Sequence, residues 1–330
     1  MPVLDVRSPS EFAQAHIPGA ISFPLFSDEE RAVKGTEYKQ VSRQKAVRSG
    51  LAFFGPKMLQ MVNAAEKIAL NFYGKTGYNP SQKLLVHCWR GGTRSGAVAW
   101  LLELYGYEVY RLQKGYKSYR QWVLQQFAKP YRFTVLGGNT GSGKTELLHQ
   151  LKPDFPVLDL EALASHQGSA FGGIGIVQPS QEQFENDLAS ELFLLRNEHF
   201  LVEDESQRIG NRIIPNEFWA QMRKKDVLFL QVPFEQRLKQ VVKDYAHYPV
   251  DKLIASVLRI SKRLGPADTK IVINRLVEND IENAFMILLK YYDRHYEKSL
   301  QNRPGFEGKI IPVSGINDID QQIKNYREHR

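Results

Sequence analysis

One short stretch, residues 138–145, constrains the fold of this chain more than any other. It reads Gly138, Asn139, Thr140, Gly141, Ser142, Gly143, Lys144 and Thr145, which matches the pattern G-x4-G-K-[ST] in full. An apolar run, residues 133–137, precedes it, and a helix-like segment follows at 146–151. In this context the pattern predicts a phosphate-binding loop, or P-loop, between a strand and a helix. Backbone amides would surround a diphosphate or triphosphate, Lys144 would neutralise its oxygens, and Thr145 would ligate Mg²⁺.

A P-loop is usually accompanied by a carboxylate at the end of a neighbouring strand. The apolar residues 200–202 precede three acidic residues, Glu203, Asp204 and Glu205. Glu203 and Asp204 are both candidates for this carboxylate, and the spacing does not choose between them. An exposed strand end is the alternative explanation of the acidic residues.

The single cysteine, Cys88, lies in a second loop of similar design. Residues 84–87 form an apolar run, residues 88–96 are rich in glycine, and residues 97–105 have a helical pattern. A thiol between a strand end and a helix N-terminus faces oriented amides and the positive end of the helix dipole, which lower its pKa. We therefore predict a reactive thiolate at Cys88, with Arg90 and Arg94 holding an anion. A buried structural cysteine is the alternative.

The order of the apolar and helical segments indicates the fold class. Apolar runs at 84–87, 133–137, 200–202 and 227–232 alternate with helix-like segments, which predicts an α/β protein with parallel sheets. A length of 330 residues suits two domains. We place the boundary near residues 128–130, giving a domain at 1–128 and a second at 131–330, whose basic part, residues 233–303, is expected to be largely helical.

The net charge of +8 is unevenly distributed along the chain. Residues 1–130 and 207–303 each carry 18 Lys and Arg, against 9 and 11 acidic residues, whereas residues 131–206 carry 4 against 12. This pattern suggests a polyanionic partner bound by two basic surfaces, although solvated helix faces explain it equally well. No window is long and apolar enough for a membrane span, and no signal segment opens the chain, so a cytoplasmic location without a membrane partner is expected.

Cysteine phosphatases and rhodanese-type sulfurtransferases share the H-C-x5-R pattern around Cys88, and the N-terminus favours the second class. Asp5-Val6-Arg7 is followed by Glu11-Phe12, and residues 16–20 read H-I-P-G-A. These residues resemble the D-V-R-x-x-x-E-[FY] and H-I-P-G-A signatures of rhodanese domains, and residues 115–116 resemble the closing turn of that family. The resemblance covers roughly residues 3–125. It implies a parallel-sheet domain whose cysteine carries sulfur.

A rhodanese domain followed by a P-loop domain resembles one family in particular, the bacterial tRNA 2-selenouridine synthases. The segments that carry this resemblance are residues 28–40, 88–95, 138–145, 166–172 and 202–210, and the match extends over nearly the whole chain. Members of that family carry further residues before the D-V-R motif, whereas Asp5 stands almost at the start here. A shortened N-terminal edge is therefore expected.

The resemblance implies exchange of sulfur for selenium at C2 of wobble 2-thiouridine in tRNA, with selenophosphate as the donor. It also implies S-geranylation from geranyl diphosphate, which would open C2 to a selenium nucleophile. The expected partner is the anticodon stem-loop of tRNA, and selenophosphate synthetase is a candidate for delivering the donor. The chain would be a transferase, while ATP or GTP use at the P-loop is left open.

These implications assign roles to named residues. Cys88 would take or relay the selenium while Arg90 and Arg94 hold the phosphate, and residues 138–145 would bind the geranyl diphosphate. A prenyl or uridine pocket would include Gly50, His166, Ser169 and Phe171. In the basic region the residue types point to tRNA binding, because basic side chains contact phosphates and tyrosines stack on bases; the candidates are Arg259, Lys262, Arg263, Lys290, Tyr292 and Arg294.

Four alternatives stay open at this stage, two for parts of the chain and two for the whole. Residues 166–173 suit a flexible active-site loop or a plain surface loop equally well, and core packing is an alternative role for the tyrosines. The chain as a whole also suits a rhodanese-type tRNA sulfurtransferase coupled to a nucleotide-dependent step. The fourth is a regulatory module in which the P-loop domain is a nucleotide switch without catalysis.

Overall fold

The structure, a computed structural model, describes residues 1–74, 82–303, 308–315, 318–319 and 321–322. The chain divides into two compact units, Met1–Gln125 and Gln126–Arg330, and each is described by itself. Both units are built on parallel sheets, as the alternation of apolar and helical segments predicts.

The N-terminal unit contains a parallel four-stranded sheet in the order β2-β1-β3-β4. Its strands are β1 (Val3–Asp5), β2 (Ile21–Ser22), β3 (Lys83–His87) and β4 (Glu108–Arg111). Its helices are α1 (Pro9–Gln14), α2 (Asp28–Gln40), α3 (Arg43–Phe54), α4 (Met58–Tyr73), α5 (Thr93–Tyr105) and α6 (Gly115–Gln126), the last ending one residue beyond the unit, and a 3-10 turn spans Gly55–Lys57.

Strand register places the three functional strand ends of this unit side by side. Asp5 is paired with Ser22 on one side and with His87 on the other, so β1, β2 and β3 end at the same level. The two central strands are fully buried through Leu4 and Val86, which is why they read as continuous apolar runs. Cys88 follows β3 directly and so lies at the carboxyl edge of the sheet.

Helices α2 and α3 pack against each other. Helix α2 begins with a capping box in which Ser27 and Glu30 satisfy each other's backbone amides. It buries none of its residues, whereas α3 buries Ala46, Gly50 and Phe54, which are spaced by one helical turn. Helix α3 therefore packs against the rest of the N-terminal unit, whereas α2 carries mainly long polar side chains.

The C-terminal unit contains a parallel five-stranded sheet in the order β11-β10-β5-β7-β6, and a two-stranded hairpin formed by β8 and β9. The strands are β5 (Arg132–Gly138), β6 (Val157–Leu158), β7 (His199–Glu203), β8 (Arg208–Ile209), β9 (Arg212–Ile213), β10 (Val227–Leu230) and β11 (Ile310–Val313). Strand β5 is central and buried on both faces from Phe133 onward. The predicted P-loop follows it directly.

Eight helices of this unit lie within the described residues. They are α7 (Lys144–Leu151), α8 (Leu160–Ala164), α9 (Gln181–Leu194), α10 (Asn216–Met222), α11 (Phe234–Tyr245), α12 (Val250–Leu264), α13 (Pro266–Val277) and α14 (Ile281–Gln301). Helices α11 to α14 make up the basic region, which is largely helical as expected. Their apolar faces meet around Leu253, Val257 and Phe285, and Phe171 joins that core from outside the region.

Candidate functional site

Cys88 occupies the loop between β3 and α5. Its side chain is only 3% exposed, and its Sγ lies 3.3 Å from the Oγ of Ser95 on the first turn of α5. Burial by itself raises the pKa of the thiol, but hydrogen bonds from the Ser95 hydroxyl and amide and from the Arg90 amide lower it. The positive charge of Arg94 acts in the same direction, and the net pKa of Cys88 is lowered. The loop therefore favours the nucleophilic thiolate.

Gly115 closes this loop from the side of α6. Its φ angle is +60°, and a Cβ atom there would lie 2.2 Å from the carbonyl oxygen of Cys88. The amide of Tyr116 donates a hydrogen bond to that same oxygen at 2.8 Å. Two backbone segments thus touch at Gly115, and no side chain fits between them.

Replacement of Gly115 by alanine is expected to destabilise the protein by about 2 kcal/mol or more, because both the left-handed backbone and the close contact oppose a Cβ. Thermal unfolding followed by circular dichroism measures the effect. The matched control is Gly35→Ala in α2, where open space surrounds the position of a Cβ and the melting temperature should not fall. An unchanged melting temperature for Gly115→Ala would contradict this account of the loop.

Arg94 lies beside Cys88 but is held by a carboxylate. Its NH1 lies 2.7 Å from the Oε2 of Glu11, and the Nε of Arg31, from α2, lies 2.9 Å from the same oxygen. Burial raises the pKa of Glu11, yet the hydrogen bond and charge of Arg94 and the charge of Arg31 lower it to about 2. Two guanidinium groups thus share one ionised carboxylate, which leaves a net positive charge near the thiol. Arg90, in contrast, is exposed.

The D-V-R motif, residues 5–7, makes buried contacts with the segments around the Cys88 loop. Asp5 and Arg7 are both buried, and the Nε of Arg7 donates to the Oδ1 of Asp5 at 2.9 Å. The NH2 of Arg7 donates to the carbonyl oxygen of Ala15 at 2.7 Å, and its guanidinium carbon lies 3.8 Å from the ring centre of Tyr116. The motif therefore connects β1, the segment after α1, and the turn that closes the Cys88 loop.

The P-loop adopts its predicted place between β5 and α7. Gly141 and Gly143 both have φ +77°, and a Cβ at Gly141 would lie 2.6 Å from a methyl group of Val241 and 2.8 Å from the carbonyl oxygen of Arg237 on α11. The Nζ of Lys144 donates to the carbonyl oxygen of Gly138 at 2.8 Å, so the ammonium lies across the mouth of the loop. This arrangement suits the oxygens of a diphosphate.

A cluster of three carboxylates lies beside Thr145. The Oγ1 of Thr145 is 3.0 Å from the Oε2 of Glu161 and 3.0 Å from the Oε1 of Glu203. One oxygen from each of Glu161, Glu203 and Glu205 lies within 4.8 Å of the others. Burial, followed by the charges of Glu161 and Asp159, raises the pKa of Glu203 to about 8, and burial and neighbouring carboxylates also raise the pKa of Glu205.

These donors fit a hard divalent cation. Glu203 is completely buried, and its Oε2 has no hydrogen-bond partner among the described residues. A threonine hydroxyl with several carboxylate oxygens is a ligand set that Mg²⁺ accepts, and a cation would satisfy the unpartnered oxygen. The Mg²⁺ predicted at Thr145 stays a prediction, and Glu161, Glu203 and Glu205 are the residues that would hold it with Thr145.

Asp204, the other candidate beside the P-loop, has different partners. Its Oδ2 accepts a hydrogen bond from the hydroxyl of Tyr296 at 2.7 Å, and Arg303 forms an ion pair with the same carboxylate. The Tyr296 oxygen in turn accepts from the amide of Gly138 at 3.1 Å. Glu203 is thus the carboxylate at Thr145, whereas Asp204 links α14 to the first residue of the P-loop.

A cavity of about 1350 Å³ opens over the P-loop within the C-terminal unit. A pocket for a single small molecule usually measures about 300–1,000 Å³, so this one has room for more than a diphosphate. Basic and aromatic side chains share its wall: besides Lys144 these are Arg208, Arg212, Arg223, Arg259, Arg263, Tyr245, Tyr291, Tyr292 and Tyr296. Ala170, Ile176 and Ile260 add apolar surface.

Comparison with known proteins identifies the family to which these sites belong. The family model of the tRNA 2-selenouridine synthase AAA domain matches residues 131–328, and that of the rhodanese-like domain matches residues 1–121. The chain belongs to the tRNA 2-selenouridine synthase family. The resemblance stated from the motifs is therefore confirmed, and so is the fold class, a rhodanese-like domain followed by a P-loop domain.

Three relatives illustrate how far the similarity extends, each described as a tRNA 2-selenouridine synthase. The protein of Nitrosomonas europaea is 33% identical over 86% of this chain and 73% of its own length. That of Shewanella denitrificans is 34% identical over 93% of this chain and 91% of its own. That of a Sulfurovum species is 33% identical over 99% of this chain and 95% of its own.

The predicted pocket residues of this synthase-family chain are divided between its two units. His166 and Ser169 line the cavity over the P-loop, and residues 166–173 form a folded loop rather than a loose one. Ser169 Oγ lies 2.9 Å from the hydroxyl of Tyr245, and the amide of Ala170 donates to Tyr292 at 3.2 Å. Phe171 is 2% exposed and packs in the helical core, so it anchors the loop instead of lining the cavity. Gly50 belongs to the N-terminal unit, in α3.

The predicted tRNA-binding residues also divide by position. Arg259 and Arg263, one turn apart on α12, line the P-loop cavity, whereas Lys262 lies on a separate shallow pocket with Pro266 and Ile273. Lys290 and Arg294 are exposed, and Arg294 lies 3.9 Å from Asp268. Tyr292 is largely buried and accepts the Ala170 amide. Tyr292 thus lines the cavity and also supports the backbone at residue 170, and its predicted contact with tRNA stays a prediction.

Several residues of the site were not found from the sequence. Glu161 follows the edge strand β6 at the start of α8, and an acidic residue after a short apolar run was the signal available for it. His149, whose Nε2 lies 3.0 Å from Asp159, and Arg208 also line the cavity.

No helix within the described residues has both the length and the apolar character required to span a membrane.

Proposed function

We propose that this chain modifies tRNA by replacing the C2 sulfur of wobble 2-thiouridine with selenium, using selenophosphate and passing through an S-geranylated intermediate. One observation carries the proposal: in a chain of this family, a thiolate loop fit for a tetrahedral oxyanion coexists with a phosphate loop under a large cavity. The first suits a selenophosphate donor, and the second suits a prenyl diphosphate together with a nucleotide.

In the prenylation step, the sulfur of 2-thiouridine attacks C1 of geranyl diphosphate, the C1–O bond breaks, and diphosphate leaves. Lys144 and the amides of residues 138–145 hold the leaving diphosphate and stabilise its growing negative charge. Mg²⁺, held by Thr145 and the three glutamates, would supply further positive charge there. Ala170, Ile176 and Ile260 offer apolar surface to the prenyl chain.

In the selenation step, the P–Se bond of selenophosphate is cleaved, water oxygen goes to phosphate, and selenide enters at C2 while the geranyl thiolate leaves. No atom changes oxidation state, so the exchange needs no external oxidant. Cys88 relays the selenium without bonding to it: its thiolate attacks phosphorus, the S–P bond forms as the P–Se bond breaks and selenide is released, and water then cleaves the S–P bond to give phosphate and the free thiolate. Arg90 and Arg94 hold the phosphoryl oxygens. Alkylation of the sulfur precedes this step because an unalkylated thiocarbonyl sulfur is a poor leaving group.

The tRNA is bound by its phosphates near the P-loop cavity. Arg259 and Arg263 line the cavity from α12, and Arg208 and Arg212 line it from the β-hairpin. These guanidinium groups suit the backbone around an unpaired wobble nucleotide. Selenophosphate synthetase is a candidate for delivering the donor.

Nucleoside analysis of tRNA after reaction with the purified protein tests the proposal. With 2-thiouridine tRNA, geranyl diphosphate and selenophosphate, mass spectrometry should detect S-geranyl-2-thiouridine and 2-selenouridine. Omission of selenophosphate should leave the geranylated nucleoside alone. A thiolated or selenated product formed with ATP but without geranyl diphosphate would contradict the proposal and favour a nucleotide-coupled sulfurtransferase. Tight ATP or GTP binding without any product would favour a regulatory module.

Mg²⁺ should stabilise the protein more strongly at high pH than at low pH. The pKa of Glu203 is raised to about 8, so cation binding displaces a proton and strengthens as the pH rises. The increase in melting temperature on adding MgCl₂ is expected to be larger at about pH 9 than at about pH 6. Glu203→Gln should reduce this difference to what Glu205 contributes, and Glu198→Gln, an exposed carboxylate before β7, should keep it in full. An equal Mg²⁺ effect in Glu203→Gln would exclude the proposed ligand set.

A further inference from the structure

The helix pair α2–α3 brings an ammonium group to the edge of the sheet that carries Cys88. The Nζ of Lys34, on α2, lies 4.1 Å from the ring centre of Phe26. Phe26 follows β2 by four residues, and β2 ends level with β1 and β3. The segment after β2 and the Cys88 loop after β3 thus leave the same edge of one parallel sheet.

Lys34 has no carboxylate partner within ion-pair distance among the residues that the structure describes. Glu37, one turn along α2, instead accepts from the Ser49 hydroxyl at 3.0 Å and lies 4.0 Å from the Nζ of Lys45. The side chain of Lys34 is half-buried. Burial and the charge of Arg94 both lower the pKa of Lys34, which is consistent with an ammonium in the field of the Cys88 loop.

Three basic side chains come together near this edge of the sheet. Arg31 and Lys34 are three residues apart and so share one face of α2. Arg31 and Arg94 both pair with Glu11, and the charge of Asp28 also acts on Arg31, whereas Lys34 has the charge of Glu37 nearby but forms no ion pair with it. Of the three cations, Lys34 is therefore the one whose ammonium is left for an oxyanion at the thiolate loop.

Gly50 explains how Lys34 reaches this position. A Cβ at Gly50, in α3, would lie 2.7 Å from the Nζ of Lys34 and 2.9 Å from its Cε. The lysine side chain therefore crosses α3 at Gly50, the position where α3 has no side chain to block it. The role expected for Gly50 in a prenyl or uridine pocket stays a prediction, and this contact shows in addition that the glycine makes room for a charged group.

We propose that Lys34 completes an anion site at the Cys88 loop and binds the phosphoryl oxygens of the selenium donor together with Arg94. This assignment rests on the proposed function, in which a phosphate-bearing donor meets Cys88. It gives the α2–α3 pair a role within the rhodanese-like unit, since that pair adds a cation to Arg90 and Arg94 of the Cys88 loop.

Protection of Cys88 from alkylation tests this assignment. The chain has one cysteine, so the rate of reaction with neutral iodoacetamide reports on Cys88 alone. Inorganic phosphate, which carries the oxygens of the donor but no nucleophilic sulfur, should slow the reaction. In Lys34→Met the phosphate concentration that halves the rate should rise about tenfold, as expected for loss of one charge-assisted hydrogen bond. Lys34→Arg should stay near the parent value, and so should Lys39→Met, an exposed lysine on the same helix.

Gly50→Ala provides a second variant in which every charge is kept. The added methyl group meets only the flexible end of Lys34, so the protein should fold while the ammonium is displaced and protection weakens. Equal protection of parent, Lys34→Met and Gly50→Ala would overturn the role of Lys34 and leave the proposed function standing. Absence of protection in the parent would overturn both this role and the assignment of a phosphate-bearing donor to Cys88.

Discussion

Replacement of Lys144 by alanine is expected to abolish geranylation of 2-thiouridine tRNA, with a fall in rate of about a hundredfold or more. The ammonium lies across the P-loop, 2.8 Å from the carbonyl oxygen of Gly138, where diphosphate oxygens would bind. Its loss removes the main side-chain charge that stabilises the leaving diphosphate. The rate of appearance of S-geranyl-2-thiouridine, followed by mass spectrometry under single-turnover conditions, measures the effect.

The matched control for Lys144 is Lys152, which is exposed at the end of the same helix. Lys152→Ala removes an equal charge from α7 and should retain the parent rate. Thermal unfolding of both variants separates a chemical effect from a loss of structure. Retention of geranylation in a folded Lys144→Ala protein would exclude the P-loop as the diphosphate site.

Replacement of Cys88 by serine is expected to abolish selenation while leaving geranylation intact. The hydroxyl is close in size to the thiol but is not ionised near neutral pH, so the nucleophile is lost and the rate should fall by about a thousandfold or more. Geranylation should stay within about twofold of the parent rate, because Cys88 and the P-loop belong to different units and independent sites act additively. S-geranyl-2-thiouridine should therefore accumulate.

Ser95→Ala provides a milder test of the same thiolate, because it keeps Cys88 and changes only its surroundings. It removes the hydroxyl that lies 3.3 Å from Sγ and helps to lower the pKa of Cys88. The pH at which selenation reaches half its maximum should therefore move upward, without loss of the maximal rate at high pH. If Cys88→Ser stopped geranylation as well as selenation, the assignment of the two reactions to different units would be wrong.

Local patterns were sufficient to predict the two loops. The P-loop is specified by consecutive residues between a strand and a helix, and the Cys88 loop by a thiol among glycines and arginines, so neither depends on distant contacts. The choice between Glu203 and Asp204, in contrast, depends on contacts that are distant in sequence. It follows from Tyr296 and Arg303, which come from the far end of the chain and satisfy Asp204.

Tertiary contacts determine the surroundings of three predicted site residues, Phe171, Tyr292 and Gly50. Phe171 stands in a glycine-rich segment that looks like an open loop, but its ring fills a core built from α11, α12 and α14. Tyr292 lies among basic residues, yet its hydroxyl is used by the backbone of residue 170. Gly50 leaves room for the side chain of Lys34, which comes from the neighbouring helix α2. No periodicity or motif in the sequence predicts such contacts.

The order of the two reactions is the central claim, and a pulse-chase measurement tests it most directly. 2-Thiouridine tRNA is first incubated with the protein and isotopically labelled geranyl diphosphate, and selenophosphate with excess unlabelled geranyl diphosphate is then added. The account predicts that labelled S-geranyl-2-thiouridine forms first and then decays at the rate at which 2-selenouridine and labelled geranylthiol appear. Formation of 2-selenouridine while the labelled nucleoside persists unchanged would contradict it.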